Sequence, residues 1–162
     1  MNAVLLSSKK MGYCTPQGFF DQLDTEFHFA LDAAATDKSA KCPVYYTPET
    51  DGLKSPWNIS GGAVFCNPPY GREIGKWVRK AYEEAQHGTT IVLLIPARTD
   101  TTYFHEYIYR HAEIRFLRGR LCFTDEDGNA YSRAPFPSML VIYNRREKGK
   151  NESDYGISAL RV

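Results

Sequence analysis

The sequence of 162 residues contains no long apolar segment. A membrane-spanning helix needs about 20 apolar residues, and no run approaches that length, so we expect no membrane span. Near the N-terminus stands a single short apolar run, "AVLL", which is too short for the core of a signal peptide. The sequence therefore predicts a cytoplasmic protein.

The spacings that mark metal and disulfide sites are also missing. The four cysteines contain no C-x-x-C pair, and without a secretion signal we expect no disulfides. The four histidines are scattered without a ligand partner at a suitable spacing, so we expect no bound metal. Neither G-x-G-x-x-G nor a P-loop is present, which argues against NAD and nucleoside triphosphates as ligands.

A strong net charge is absent as well, since the formal value is +1. No global basic field therefore indicates a nucleic-acid partner. Basic residues are unevenly distributed, however, and a late group lies between apolar positions where it could form a local basic face: Arg115, Arg118, Arg120 and Arg133. The basic residues from Arg145 to Lys150 are more simply interpreted as a solvated tail.

The composition is that of a globular protein, with 43% apolar and 24% charged residues. We expect a single domain over residues 1–162, with a core at about 13–145 and a flexible C-terminal tail. Strand and helix patterns alternate through the first two thirds, and a hairpin pattern follows. This order predicts an α/β fold with a mostly parallel twisted sheet and an antiparallel C-terminal hairpin.

The predicted strands are, in order, "FHFAL", "VYY", "AVFC", "TIVLLI", "EIRFL", "LCFT" and "SMLVIY". Three of them end at residues that are unusual for a strand: Asp32, Asn67 and Pro96. In open α/β sheets, ligands bind at the carboxyl ends of the strands. We therefore expect a site at this edge of the sheet.

Three helices are predicted. Thr15 is a candidate N-cap with Pro16 at the first helical position, and the helix that follows would bury Phe19, Phe20 and Leu23. Apolar residues recur every three or four positions over residues 72–86. A third helix is expected over residues 100–109, capped by the aspartate at its start.

The segment Asn67-Pro68-Pro69-Tyr70 directly follows the apolar run "AVFC". An exocyclic amine of adenine or cytosine is a weak nucleophile, because its lone pair is delocalised into the ring. The Asn67 carboxamide oxygen and the Pro68 carbonyl are candidates to accept its two hydrogens and stabilise the charge that develops on nitrogen. Pro68 brings no competing N–H, and Tyr70 offers a flat face for an extruded base. The alternative is an ordinary turn.

This tetrapeptide resembles the catalytic signature of amino-methyltransferases, which transfer a methyl group from S-adenosylmethionine (AdoMet) to a planar nitrogen. The wider chain, over residues 15–143, resembles the phage-type DNA N-6-adenine methyltransferases, the phage Dam family. The matching segments are "TPQGFFDQL", "LDAAA", "YYTPETDGL", Trp57, "FCNPPYG", "LLIPARTDTTYF", "FLRGRLCF" and "APFPSMLVIY". The tetrapeptide is shared with other methyltransferases, whereas the ordered set is much more specific.

The resemblance implies a single-domain Rossmann-like class I methyltransferase fold. It also implies transfer of a methyl group to the 6-amino group of adenine in DNA, with S-adenosyl-L-homocysteine as the second product and no metal ion. The partner would be DNA, with the target base flipped against the Asn-Pro-Pro-Tyr loop, in a bacterial or phage-infected host cell.

Positions for AdoMet follow from the same resemblance. Thr15 and Pro16 would flank the methionine moiety of AdoMet, Asp32 would lie near its ammonium group, and Asp51 would lie near its adenosine, with Glu49 as a competitor. The alternatives are a helix cap for Thr15 and Asx-turns for both aspartates.

Ala33 and Ala34 begin a turn where many methyltransferases have a Gly-x-Gly loop, and together with Asn67 they complete the cofactor set that the resemblance implies. AdoMet carries no phosphate, so a glycine nest is not obligatory.

Arg98 and Arg120 are candidate contacts to DNA phosphates. The alternatives are a solvated helix N-terminus for Arg98 and a surface position on a hairpin for Arg120. The tetrapeptide leaves other functions open: methylation of an RNA base or of a protein glutamine, or a catalytically idle AdoMet-fold protein that binds DNA or another protein.

Overall fold

The computed structural model describes residues 12–59, 61–144 and 156–162. Within these ranges a seven-stranded sheet forms the centre of the molecule. Its strands are β1 (Phe29–Asp32), β2 (Val44–Tyr45), β3 (Ala63–Cys66), β4 (Ile91–Pro96), β5 (Glu113–Arg118), β6 (Ser138–Tyr143) and β7 (Ile157–Arg161). Their order across the sheet is β2-β1-β3-β4-β6-β5-β7.

The sheet is parallel from β2 through β4, and β6 lies antiparallel between β4 and β5. This arrangement confirms the predicted α/β class. Every residue of β4 and β6 is buried, as expected from their continuous apolar sequences. Along β4, Ile91, Leu93 and Ile95 pack on one face of the sheet, and Val92 and Leu94 pack on the other.

The C-terminal part differs from the prediction in two respects. The segment "LCFT" is not a strand, because Thr124 forms only isolated bridges, to Cys14 and Ala130. Gly119, with φ +95°, turns the chain after β5, and β6 takes the place beside β5. Residues 157–161, expected to belong to a flexible tail, form β7 and pair in parallel with β5. The rest of that tail, residues 145–155, lies outside the described residues.

Two α-helices cover opposite faces of the sheet. Helix α1 (Gln17–Phe27) buries the three predicted residues, Phe19, Phe20 and Leu23. Helix α2 (Ile74–Ala85) lies within the predicted range, and its inward residues recur at three and four: Ile74, Trp77, Val78, Ala81 and Ala85. Pro16, not Thr15, occupies the N-cap position of α1, so the predicted start is wrong by one residue.

The third predicted helix is a short π-helix, Phe104–Ile108. The N–H of Tyr109 donates to the carbonyl of Phe104, five residues back, at 2.8 Å. The hydroxyl of Thr101 accepts the N–H of Phe104 at 3.3 Å, in place of the expected cap at Asp100. Phe104 and Ile108 are buried, as predicted. Of the helices in the described ranges, none is long and apolar enough to cross a membrane.

Candidate active site

A cavity of about 920 Å³ opens at the carboxyl ends of β1 and β3. β1 ends at Asp32, β3 ends one residue before Asn67, and the two strands are hydrogen-bonded neighbours. Residues far apart in the sequence meet here because parallel strands end at the same edge of a sheet. Most of the predicted site residues line the cavity: Thr15, Asp32, Ala34, Asp51, Asn67, Pro68, Pro69 and Tyr70.

Four predicted site residues do not line this cavity: Pro16, Ala33, Arg98 and Arg120. Ala33 is completely buried beneath it, and its N–H donates to the carbonyl of Phe65 at 2.9 Å. Its contribution to the site is therefore the path of its main chain.

Asp32 is a buried carboxylate in the cavity wall, with 3% of its surface exposed. Its Oδ2 accepts the N–H of Lys41 at 3.0 Å, and its Oδ1 accepts the N–H of Ala34 at 3.4 Å. Burial raises the pKa of Asp32 to about 6, because these two N–H groups compensate only in part for the lost water. A positively charged ligand group in the cavity would stabilise the ionised carboxylate.

Asp51 stands in the loop that follows β2. Its Oδ1 accepts the N–H of Leu53 at 3.0 Å, which is the Asx-turn expected of a loop aspartate. Its Oδ2 lies 3.7 Å from Nζ of Lys54, in an exposed ion pair of little energetic weight. Asp51 lines the cavity and the exposed Glu49 does not, so Asp51 is the better placed of the two acids.

Asn67 has a paired amide nitrogen and an unpaired amide oxygen. Its Nδ2 donates to the main-chain carbonyl of Tyr13 at 2.5 Å and to the hydroxyl of Thr15 at 3.1 Å. Because the Tyr13 carbonyl can only accept, the nitrogen and not the oxygen must face it. The Oδ1 atom is buried and has no hydrogen-bond partner in the described part of the chain. This acceptor is therefore available to a donor from a ligand or from a water molecule in the cavity.

The Tyr70 ring packs against three other aromatic side chains. Its ring is stacked on that of Tyr13, with centroids 5.6 Å apart and planes at 25°, and it meets Phe136 edge-on at 5.5 Å. The Tyr70 hydroxyl donates to the carbonyl of Leu94 in β4 at 3.1 Å. Burial there raises the pKa of Tyr70 well above its usual value, so its phenol is unsuited to act as a base near neutral pH.

A family model described as DNA N-6-adenine-methyltransferase (Dam) matches residues 3–157. The chain belongs to the Dam family. A DNA N-6-adenine-methyltransferase of Escherichia phage T1 is 35% identical over 123 residues, covering 75% of this chain and 50% of that protein. The chain therefore spans about half the length of this Dam relative. Both findings confirm the resemblance drawn from the ordered sequence segments.

Two aromatic residues of the cavity in this Dam-family chain were not predicted from the sequence. Tyr13 and Tyr131 both line the cavity, and their rings meet edge-on with centroids 6.4 Å apart. The Tyr131 hydroxyl is buried and has no hydrogen-bond partner among the described residues. Periodicity carries no signal for either tyrosine, because both lie outside regular elements and meet the site through contacts distant in sequence.

The two arginines proposed to contact DNA are exposed and stand outside the cavity of this Dam-family chain. The carbonyl of Arg98 accepts the hydroxyl of Thr101 at 2.8 Å, in the turn that leads into the π-helix. Arg120 follows the turn at Gly119. Their contacts with DNA stay a prediction.

Proposed function

We propose that this chain transfers a methyl group from AdoMet to the exocyclic 6-amino group of adenine in DNA, leaving S-adenosyl-L-homocysteine. The observation that carries the proposal is the unpaired, buried Oδ1 of Asn67 in a chain of the Dam family. This oxygen follows a buried strand and precedes the two prolines and the tyrosine of the motif.

The proposed work of Asn67 and Pro68 is directed at the amine that receives the methyl group. The Asn67 oxygen would accept one amine hydrogen and the Pro68 carbonyl the other. Both acceptors would stabilise the positive charge that develops on nitrogen as the new bond forms. The amine proton leaves afterwards to water, so the chain needs no side chain that acts as a base.

The cavity residues suit AdoMet by their chemistry. When bound, AdoMet supplies a methyl group on a positively charged sulfur, which needs no metal ion to activate it. The buried Asp32 carboxylate is the group of the cavity wall that would hold a ligand ammonium. Ala34 and Asp51 line the same cavity and would complete the cofactor site. Thr15 lines the cavity beside Asn67, and Pro16 and Ala33 would contribute only through the path of the main chain.

Tyr70 is the proposed platform for the flipped base. In the structure the Tyr13 ring is already stacked on the Tyr70 ring. A base that stacks on the same face of Tyr70 requires the Tyr13 side chain to move aside. Extruding a base from a duplex costs a few kcal/mol, which stacking on an aromatic ring offsets.

The experiment is incubation of the protein with methyl-labelled AdoMet and, separately, DNA, RNA and protein extract, followed by digestion of labelled nucleic acid to nucleosides. The expected product is N6-methyladenine from DNA. Label in cytosine, in RNA or in a protein glutamine would replace the proposed acceptor with another planar nitrogen. No transfer to any of the three, with AdoMet bound, would show a catalytically idle binding protein and overturn the proposal. Chelator treatment should leave transfer unchanged.

A further inference from the structure

The extended segment Tyr13–Thr15 lies beside Asn67 and is anchored by main-chain hydrogen bonds to Thr124. Cys14, in its middle, pairs with Thr124: each N–H donates to the other's carbonyl, at 3.0 and 2.9 Å. The residues on either side of Cys14 both contact the Asn67 amide, Tyr13 through its carbonyl and Thr15 through its hydroxyl. The segment therefore forms a fixed support for one side chain of the site.

The Asn67 amide nitrogen has two hydrogens, and the segment Tyr13–Thr15 offers two acceptors for them. A carboxamide rotates about its last side-chain bond in a broad, roughly two-fold well, so one hydrogen bond restricts it incompletely. The Tyr13 carbonyl accepts one of its two hydrogens and the Thr15 hydroxyl accepts the other. Thr15 is 3% exposed, so water would not readily replace its hydroxyl.

We propose that Thr15 is a positioning residue of the methyl-transfer site. Its hydroxyl holds the Asn67 carboxamide in the orientation that keeps Oδ1 free for the acceptor amine, and it acts through Asn67. The resemblance to the Dam family had implied a different role, contact with the methionine moiety of AdoMet. The proposal rests on the proposed function for its kinetic consequence, whereas its structural content concerns Thr15 and Asn67 alone.

The first experiment replaces the hydroxyl and keeps the shape of the side chain. In Thr15→Val the rate of a single turnover should fall about tenfold, as expected when one buried hydrogen bond is lost, while the AdoMet dissociation constant stays within about twofold. Thr15→Ser keeps the hydroxyl and should retain most of the rate. A large loss of AdoMet affinity in Thr15→Val, or equal rate losses in the Val and Ser variants, would overturn the proposal.

A matched control and a double variant separate positioning from general damage. Thr25→Val removes a hydroxyl that bonds the Asp21 carbonyl on the exposed side of α1, and it should change neither the rate nor the AdoMet affinity. In an Asn67→Ala background, Thr15→Val should lower the rate no further, because its partner is already gone. A further tenfold loss there would contradict action through Asn67.

A measurement without catalysis distinguishes failure of this inference from failure of the proposed function. The side-chain amide signal of Asn67 in ¹⁵N NMR, identified by its absence in Asn67→Ala, should show protection from hydrogen exchange in the parent protein. Thr15→Val should raise its exchange rate about tenfold or more, and Thr15→Ser should not. Equal protection in Thr15→Val overturns the inference, whatever substrate the protein methylates. If Thr15→Val does not fold, the same comparison is made with Thr15→Ala.

Discussion

At the scale of single residues, Asn67 leaves a buried acceptor unpaired although its nitrogen is fully paired. A buried unpaired polar atom costs about 1–3 kcal/mol, so a partner such as a ligand group or a water molecule is expected to complete the bond. Asp32 is similar, since its carboxylate is buried, accepts two main-chain N–H groups and forms no ion pair with any of the described residues. We therefore propose that both residues serve a ligand rather than the stability of the chain.

We expect Asn67→Ala to reduce methyl transfer about 100- to 1,000-fold, because a preorganised polar group is removed from the reacting nitrogen. AdoMet affinity should stay nearly unchanged, because the oxygen serves the acceptor. Single-turnover rates and calorimetry measure the two quantities. Asn58→Ala, at an exposed loop position, is the control. A rate within a few-fold of the parent would exclude the proposed role.

Asp32→Asn tests the raised pKa of the buried carboxyl. The folded-state pKa is about 6 against the ordinary 3.8, so the folded protein holds this proton more tightly than the unfolded chain. Protonated Asp32 therefore favours folding below about pH 4, and this contribution, about 3 kcal/mol, is lost as pH rises to about 6. The Asn variant cannot ionise and keeps a constant contribution.

Denaturant unfolding of both proteins between pH 4 and 7 measures this effect. As pH rises, the free energy of unfolding of the parent should fall relative to that of Asp32→Asn, by roughly the 3 kcal/mol given above. Asp32→Asn also loses a carboxylate acceptor. That loss changes the difference in free energy of unfolding between the two proteins by the same amount at every pH, so it does not alter the pH dependence of the difference. AdoMet affinity at neutral pH should be weaker in the variant. A pH-independent difference would contradict the raised pKa, and unchanged affinity would remove Asp32 from the cofactor site.

Changes at Tyr70 separate stacking from acid–base chemistry. Tyr70→Phe keeps the ring and should keep most of the activity, with a small loss of stability because the Leu94 carbonyl loses its donor. Tyr70→Ala should lose the stacking energy of roughly 1–3 kcal/mol per base. Melting temperature, AdoMet affinity and single-turnover rate are measured on both variants. Equal and large rate losses with intact folding would argue for a phenol that transfers protons.

At the scale of elements, the loop after β2 lies very close to the main chain of the turn that follows β1. A Cβ placed on Gly52 would lie 2.1 Å from the carbonyl oxygen of Ala33 and 3.0 Å from the ring of Trp77. The Gly52 carbonyl in turn accepts the indole N–H of Trp57 at 2.8 Å. Glycine at this position therefore lets the Asp51 loop pack on the turn that follows β1.

We expect Gly52→Ala to lower both the melting temperature and AdoMet affinity, because the loop must move away from Ala33 and takes Asp51 with it. Thermal unfolding and calorimetry measure the two effects. Gly18→Ala is the control: it lies in α1 with no atom within 4 Å of the added Cβ, and it should stabilise by roughly 0.5–1 kcal/mol. Unchanged affinity in Gly52→Ala would show that this loop does not contribute to the cofactor site.

At the scale of the whole molecule, the sheet separates the site from the C-terminal strand. The cavity opens at β1 and β3, whereas β7 is the opposite edge strand and is exposed at nearly every residue. β7 covers the outer side of β5, which would otherwise present unpaired main-chain groups to solvent. Its role is therefore expected to be structural.

Deletion of residues 156–162 should lower the melting temperature and promote self-association through the uncovered edge of β5. AdoMet affinity should stay within about twofold, because no residue of β7 lines the cavity. Thermal unfolding, gel filtration and calorimetry test these outcomes, with Ser158→Ala as a control that leaves the strand in place. A loss of affinity as large as that of Asp32→Asn in a folded deletion variant would contradict the separation.

Much of the fold could be predicted, because the face that a strand or helix buries determines the spacing of its apolar residues in the sequence. The continuous apolar sequences of β4 and β6 and the three-to-four spacing of α2 are direct consequences of the faces they bury. The prediction failed where local pattern is ambiguous. "LCFT" alternates like a strand, but Thr124 finds only isolated partners. β7 contains the apolar residues Ile157, Ala159 and Leu160, but it is mostly exposed, so its apolar residues do not follow the pattern of a buried face.

The sequence by itself determined the family and the α/β class, because both depend on ordered motifs and on the order of strand and helix patterns. It also predicted eight of the residues that line the cavity, several of them at strand ends. Only the tertiary structure decided what those residues do for one another. Tyr13 and Thr15 precede the first helix, yet they hold the amide of Asn67, which follows the third strand. Tyr13 also covers the ring of Tyr70. Such contacts depend on how the chain returns to the same edge of the sheet, and no local pattern records that return.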